Sequence, residues 1–313
     1  MTTKRLIFVP AVTTAALAAF SQTAVGAEAA PAARAQKTAF APSSSVSRSG
    51  PMTRDKSFYS AAGTEANPLV FSAPPRGPKE DEIATYQPIA DMLTAATGKK
   101  FVYRYSDNWL NYSKEMVKGS YDLVFDGPAF NGWRINHLEH TPLVKLPEDF
   151  VFVIVTGANS AHIKEVRHLA GRKVCAHSPP NLGTLTLLSQ FDNPARQPTI
   201  MTIKGWQRAY EGLVAGECEG TILPVQILGK VDKEGRKTRV LYKHRAMPNN
   251  AFSAGPRISA DMQNNIRSAL LSEQGRSATA RLRSKYAGKD FVLATRDEYA
   301  SLGALLKDSI YYY

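Results

Sequence analysis

Short apolar strands alternate with amphipathic helices in this chain, and the alternation runs through twice. In the first pass Leu69-Val70-Phe71 reads as a strand, and a helix begins near Lys79 with Glu80, Asp81 and Glu82 in its first turn, where the helix dipole favours acids. Ile89, Leu93 and Ala96 continue one face of it and Gly98 ends it. Residues 101–105 read as a second strand, 108–118 as a second helix and 122–125 as a third strand, which Asp126-Gly127-Pro128 stops at once. A β-α-β-α-β run predicts a parallel sheet with covering helices. Open sheets of that kind take ligands in the crevice beyond the carboxyl ends of their strands. The break at Asp126-Gly127-Pro128 is therefore a binding-site signal rather than a catalytic one.

The pattern then restarts. Residues 150–156, FVFVIVT, form a long β-branched run that crosses to a second lobe. Ile163, Val166 and Leu169 make a short amphipathic helix closed by Gly171. Residues 173–176 read as a strand, 181–190 as a helix after Pro179-Pro180, 199–203 as a strand, 206–214 as a helix ended by Gly216, and 220–223 as a strand stopped by Pro224. Residues 240–242 read as the returning strand, and helices near 260–271, 275–286 and 296–307 finish the chain. The expected fold is α/β with two lobes: residues 68–152, completed by part of 240–313, and residues 153–239. Such a pair makes a hinged clamshell that holds its ligand between lobes and closes by rigid-body motion.

The N-terminus sets the expected compartment. Lys4 and Arg5 precede a mostly apolar run over residues 6–20, and Val25-Gly26-Ala27 has the small residues of a cleavage site. Residues 1–27 thus read as a secretory signal peptide, because the run is short of the roughly 20 residues of a membrane span. The expected location is the periplasm. Residues 28–67, rich in Ala, Pro and Ser, read as a disordered leader. A hydrophobic content of 43% and a charged content of 21% over 313 residues are adequate for a core without metal, cofactor or disulfide framework. The net charge of +12 is spread along the chain rather than clustered with aromatics, which argues for solubility and a general attraction for anions and against nucleic acid. Cys175 and Cys218 are either one bridge or two buried thiols on neighbouring strands, and their spacing does not decide between the two.

Several residues at element ends carry candidate chemistry. Arg76, on the loop after the first strand, is either a bidentate anion clamp or a solvated loop arginine. His177, at a strand end beside a helix start, could hydrogen-bond an oxyanion; without a spaced partner it is a weak metal candidate even with Cys175 two residues away. Tyr105, Trp109, Tyr112 and Trp206 are candidate cleft aromatics for a ligand with a planar or apolar part, with Tyr112 reading rather as packing on the sheet. Asp126 either accepts from a ligand or caps the turn that follows. There is no Gly-x-Ser-x-Gly elbow, no glycine-rich phosphate loop and no His-Glu-x-x-His, so no catalytic set is expected.

The ordered set LVFSAPP, TGKKFVYRYSDNW, YDLVFDGP, HIKEVRHLAGRKVCAHSPP, GLVAGECEGTILP, MPNNAFSAG and DEYASLGALL resembles the phosphonate/phosphate/phosphite-type substrate-binding proteins of ABC transporters, over residues 68–307. The resemblance implies a type II periplasmic binding fold, a small oxyanion in the cleft, a membrane permease as partner and a monomer. It also implies that the family's Ser-Thr-Ser run at a helix N-terminus falls on Asn181, Leu182 and Gly183, followed by Thr184, so that most hydroxyls are exchanged while the helix N-terminus remains. The family's binding tyrosine falls on Trp109, its histidine on Trp206, its second tyrosine near Phe130 and Asn131, and its acid near Leu223-Pro224. The expected ligand set is therefore Ser72, Arg76, Tyr105, Trp109, Asp126, Gly127, Phe130, His177, Ser178, Asn181, Gly183, Thr184 and Trp206. Two other readings share the fold: an accessory protein that passes ligand occupancy to a membrane sensor, and a metal protein or enzyme built on Cys175 and His177.

Overall fold

The computed structural model describes residues 62–286 and 288–306. The expected signal peptide, and the leader up to residue 61, lie outside them. Residues 62–67, assigned to the leader from composition, instead pack on the first lobe. Lys100 N–H donates to the Gly63 carbonyl at 2.8 Å, and Arg257 Nη2 donates to Asn67 Oδ1 at 2.7 Å.

The first lobe starts with β1 (Leu69–Ser72), α1 (Lys79–Thr97), β2 (Phe101–Arg104), α2 (Trp109–Val117) and β3 (Leu123–Asp126). Tyr86, Ile89, Ala90 and Leu93 are the buried stripe of α1, at helical spacing, and Gly98 ends that helix with φ 63°. The sequence reading passes over two further elements, α3 (Pro128–His137) and β4 (Thr141–Lys145). Every residue of α3 from Pro128 to Ile135 is buried, so it lacks the polar face that marks an amphipathic helix. The close approach that buries it needs glycine. A Cβ on Gly132 would lie 2.4 Å from the Tyr299 carbonyl oxygen, in the C-terminal segment that covers α3.

The second lobe repeats the plan with β5 (Phe152–Gly157), β6 (Lys173–Ala176), α4 (Leu182–Leu188), β7 (Thr199–Thr202), α5 (Trp206–Val214), β8 (Gly220–Pro224), α6 (Val225–Val231) and β9 (Thr238–Lys243). The segment around Val166 is a 3₁₀ turn rather than an α-helix. The chain then adds β10 (Ala251–Ala254), α7 (Ala260–Leu271), α8 (Glu273–Ala278), α9 (Ala280–Ser284), β11 (Val292–Leu293) and α10 (Arg296–Tyr299).

Strand order is β11-β4-β10-β3-β1-β2 in one sheet and β7-β6-β8-β5-β9 in the other. In each, three strands run parallel (β2, β1, β3 and β7, β6, β8) and one antiparallel strand, β10 or β5, closes the row beside the third. The strand over residues 240–242 does not return to the first lobe. It is part of β9 and pairs with β5, and β10 re-enters the first sheet. Alternation alone could not assign these two strands to their sheets, since a strand's partner is a non-local property. The two crossing segments meet at a bridge between Phe150 and Met247, where Phe150 N–H donates to the Met247 carbonyl at 2.7 Å. The first lobe's core is aromatic. Phe71, Tyr86, Phe125 and Phe252 sit with ring centroids 4.9–6.5 Å apart in their contacting pairs, each ring contributing roughly 1.5–3 kcal/mol by its burial.

Candidate functional site

The carboxyl end of β3 carries a buried ionic cluster. Asp126 is fully buried, and every position its carboxylate offers is taken. Gly127 N–H and Arg76 Nη2 donate to Oδ1 at 2.7 and 3.4 Å, while the Tyr112 hydroxyl and Arg134 Nη1 donate to Oδ2 at 2.6 and 2.8 Å. Arg134, from α3, is also fully buried and donates a second bond to the Tyr112 oxygen at 2.7 Å. Burial works against the charge on Arg134, but Tyr112 and Asp126 overcome it and raise its pKa. Asp126 is thus a structural counter-ion and a positioning group for Arg76.

Arg76 is held by this cluster at one nitrogen only. Nη2 reaches Asp126 and Asn250 Oδ1, whereas Nη1 is buried without a partner. Burial opposes its charge, and Tyr286, Tyr86, Asp126 and Glu82 together raise its pKa, so the guanidinium is a fixed cation. Two more buried nitrogens nearby lack partners, Trp109 Nε1 and His177 Nε2. The rings make a row across the lobes. Trp109 of the first lobe lies 6.0 Å from His177, His177 lies 5.7 Å from Trp206, and Trp206 lies 6.0 Å from Tyr286 of the first lobe. Burial, with Arg76 adding to it, lowers the His177 pKa to about 3, so the imidazole is neutral and one of its nitrogens is a donor.

Two spaces of very different size border this row. In one, Trp109, Phe130, Phe152, Asn181 and Trp206 surround a remnant of about 20 Å³. The other is a cleft of about 470 Å³, with walls from Tyr86, Ile227 and Tyr286 and with the starts of α1 and α5 on opposite sides.

Of the sequence-assigned residues, Arg76 and Trp206 border both spaces, Trp109, Gly127, Phe130 and Asn181 border the small one, and His177 sits between the two tryptophans. Ser72 is spent inside the sheet, where its hydroxyl donates to the Arg104 carbonyl at 2.8 Å. Tyr105 faces a separate depression of the first lobe, together with Asp107 and Lys114. Ser178 borders neither interlobe space; its carbonyl accepts from Asn181 N–H at 3.2 Å. Two of the N–H groups assigned to an anion at the start of α4, those of Gly183 and Thr184, are already taken. Asn181 Oδ1 accepts from Gly183 N–H at 2.9 Å and from Thr184 N–H at 3.3 Å, and the Thr184 hydroxyl donates to the His177 carbonyl at 2.5 Å. An Asn at this position is a strong helix cap. The sequence reading missed Glu82, Tyr86, Gly205, Asn250 and Tyr286. Glu82 looked like an ordinary first-turn acid, yet it is 1% exposed.

Cys175 and Cys218 are joined, with Cα atoms 5.7 Å apart, tying β6 to the chain just before β8. The bridge removes the thiolate that a Cys175–His177 metal or nucleophile reading needs. Among the described residues no three His, Cys, Asp or Glu side chains gather where they could share a metal ion.

This strand order, the two crossings and a cleft edged by strand ends define a two-lobed periplasmic-binding-protein fold of type II. The chain matches, over residues 71–299, the family described as the phosphonate periplasmic substrate-binding protein of ABC transporters, and it belongs to that family. It is 21% identical over 219 residues to the phosphate-import protein PhnD of Mycolicibacterium smegmatis, covering 62% of this chain and 68% of that one. Among solved structures it is similar to PhnD1 of Prochlorococcus marinus in complex with methylphosphonate, at 12% identity and a TM-score of 0.59, covering 76% of this chain and 96% of that one. It is similar at the same score to a binding protein component of an ABC phosphonate transporter from Pseudomonas aeruginosa, at 10% identity, covering 76% of this chain and 84% of that one. These structures share its fold.

Proposed function

We propose that the protein captures a small oxyanion between its lobes and delivers it, in the periplasm, to the membrane permease of an ABC importer. The observation that carries this reading is Arg76 Nη1, a buried nitrogen without a partner on a residue that lines the interlobe cleft; Trp109 Nε1 and His177 Nε2, also unpartnered, belong to residues outside that lining. Leaving a buried donor unsatisfied costs roughly 1–3 kcal/mol, so such a group persists where a ligand oxygen can meet it. A fixed guanidinium there selects an anion. The family assignment supports transport, and the basic chain adds a long-range attraction for anions. Residues 1–27 are the export signal on this reading, the working unit is a monomer, and no nucleic acid is involved. Among the described residues no helix is long and apolar enough to cross a membrane.

Thermal unfolding against phosphate, phosphite, methylphosphonate, sulfonates and carboxylates tests this. A bound oxyanion raises the melting temperature, equivalent to about 2.7 kcal/mol at a hundredfold excess over Kd. No shift with any of them at millimolar concentration contradicts the reading. Signalling to a membrane sensor uses the same ligand chemistry, and loss of uptake on deleting the permease separates transport from it.

A further inference from the structure

Two helices of the second lobe point their N-termini at the interlobe region, and their first turns are in opposite states. At α4 the Asn181 side chain holds the Gly183 and Thr184 N–H groups. At α5 the cap position is Gly205, with φ 97°, and no side chain caps it. The N–H groups of Trp206, Gln207 and Arg208 therefore have no acceptor within the helix, and the helix dipole adds positive potential there. All three residues line the 470 Å³ cleft, as does Arg76. A second buried group points to a ligand in the same cleft. The Glu82 side chain is only 2% exposed; its Oε1 pairs with Lys285 Nζ at 3.3 Å, and its Oε2 is buried with no partner. The cleft walls add the Tyr86, Trp206 and Tyr286 rings, together with Ile227 and Val231.

Resting on the reading that this protein captures an oxyanion, we infer that the oxyanion is seated at the start of α5 and on Arg76, and that it belongs to an organic molecule with a planar body and a hydrogen-bond donor. The volume carries the size argument. A cleft of 470 Å³ is in the range of organic-ligand pockets, whereas a bare oxyanion would leave most of the aromatic wall unfilled. The rings supply stacking surface for a planar body. A buried Glu82 oxygen without a partner accepts an N–H or O–H, so the ligand presents both signs of hydrogen bond. Gly205 lets the α5 start approach the ligand, because a residue with a side chain is strained at φ 97°.

Calorimetric titration of the full protein with inorganic phosphate, methylphosphonate, phenylphosphonate and (4-aminophenyl)phosphonate tests this. The expected order is at least tenfold tighter binding for phenylphosphonate than for methylphosphonate or phosphate, and tighter again for the amino compound. Gln207→Pro deletes one N–H in a first turn that tolerates proline and should weaken every oxyanion about tenfold. Glu82→Gln should remove only the gain from the amino group. Trp206→Leu, a second variant should Gln207→Pro fail to fold, should abolish the preference for the aryl compounds. Equal affinity for methylphosphonate and phenylphosphonate, unchanged by Gln207→Pro or Trp206→Leu, would overturn the inference and leave oxyanion capture standing. No binding by any of the four overturns both.

Discussion

The third strands of the two lobes occupy equivalent places, and they end in opposite chemistry. β3 ends in Asp126, a buried carboxylate between two arginines and a tyrosine. β8 ends in Ile222-Leu223-Pro224, all buried and apolar, and its start lies beside a disulfide. The first lobe holds its strand end by paired charge, and that pairing leaves one guanidinium nitrogen of Arg76 buried without a partner. The second lobe is held by a covalent tie under α5, and it offers the cleft the Trp206 ring together with the charged side chains of Lys204, Arg208, Glu211 and Lys230. One topology thus carries a strand end held by buried charge and a strand end held by apolar packing and a disulfide.

The largest effect should come from breaking the charged strand end. Asp126→Ala leaves Arg134 buried without its counter-ion and should destabilise by about 5 kcal/mol, the upper end for splitting a buried pair. Urea unfolding checks it, and a loss under 1 kcal/mol would mean that the cluster is relaxed by water. Next is the covalent tie. Replacing Cys175 and Cys218 by alanine opens a loop spanning a sequence separation of 43 residues and should cost about 4 kcal/mol on the chain-entropy estimate. Thermal melts with and without reductant should show the same loss in the unmutated protein.

A pH series then compares the lobes directly. His140 beside Arg134 and His177 beside Arg76 each have a pKa lowered by burial, and by those arginines, to about 3. A folded pKa below the ordinary value of 6.5 means that the unfolded chain binds more protons between the two values. Stability should therefore fall as pH drops below about 6.5, by about 1.4 kcal/mol per pH unit for each histidine. Replacing His177 by glutamine should halve that component, and an unchanged slope would place the titration elsewhere. The smallest effect is the cap of α4. Asn181→Ala should cost about 1 kcal/mol. It should leave oxyanion affinity unchanged within a factor of two or so if those N–H groups are not the binding site.

The lobe plan was legible because strand and helix periods differ, and because Gly98, Gly216 and the Gly-Pro after Asp126 punctuate the chain. α3 was not legible, since a helix buried on all sides loses its periodicity. Nor was the return strand, because a strand's sheet partner is a non-local property. At the site, Arg76, Trp109, His177 and Trp206 could be found from their places at element ends. Glu82 and Tyr286 could not: an acid in a first turn looks solvated, and Tyr286 reaches the cleft from a segment 200 residues further along than Tyr86. At the start of α4 the Gly183 and Thr184 N–H groups are held by the neighbouring Asn181 side chain, a choice only geometry reveals.

The most direct test of the cleft as an oxyanion site centred on Arg76 is calorimetric titration of phenylphosphonate and methylphosphonate into the wild type and into Arg76→Met. The account predicts binding of at least one of them by the wild type, and a loss of roughly 30-fold or more in the variant while its fold is retained, as expected for a desolvated charge-assisted contact of about 2 kcal/mol. Equal affinity in the two proteins, or no binding to either, would contradict it.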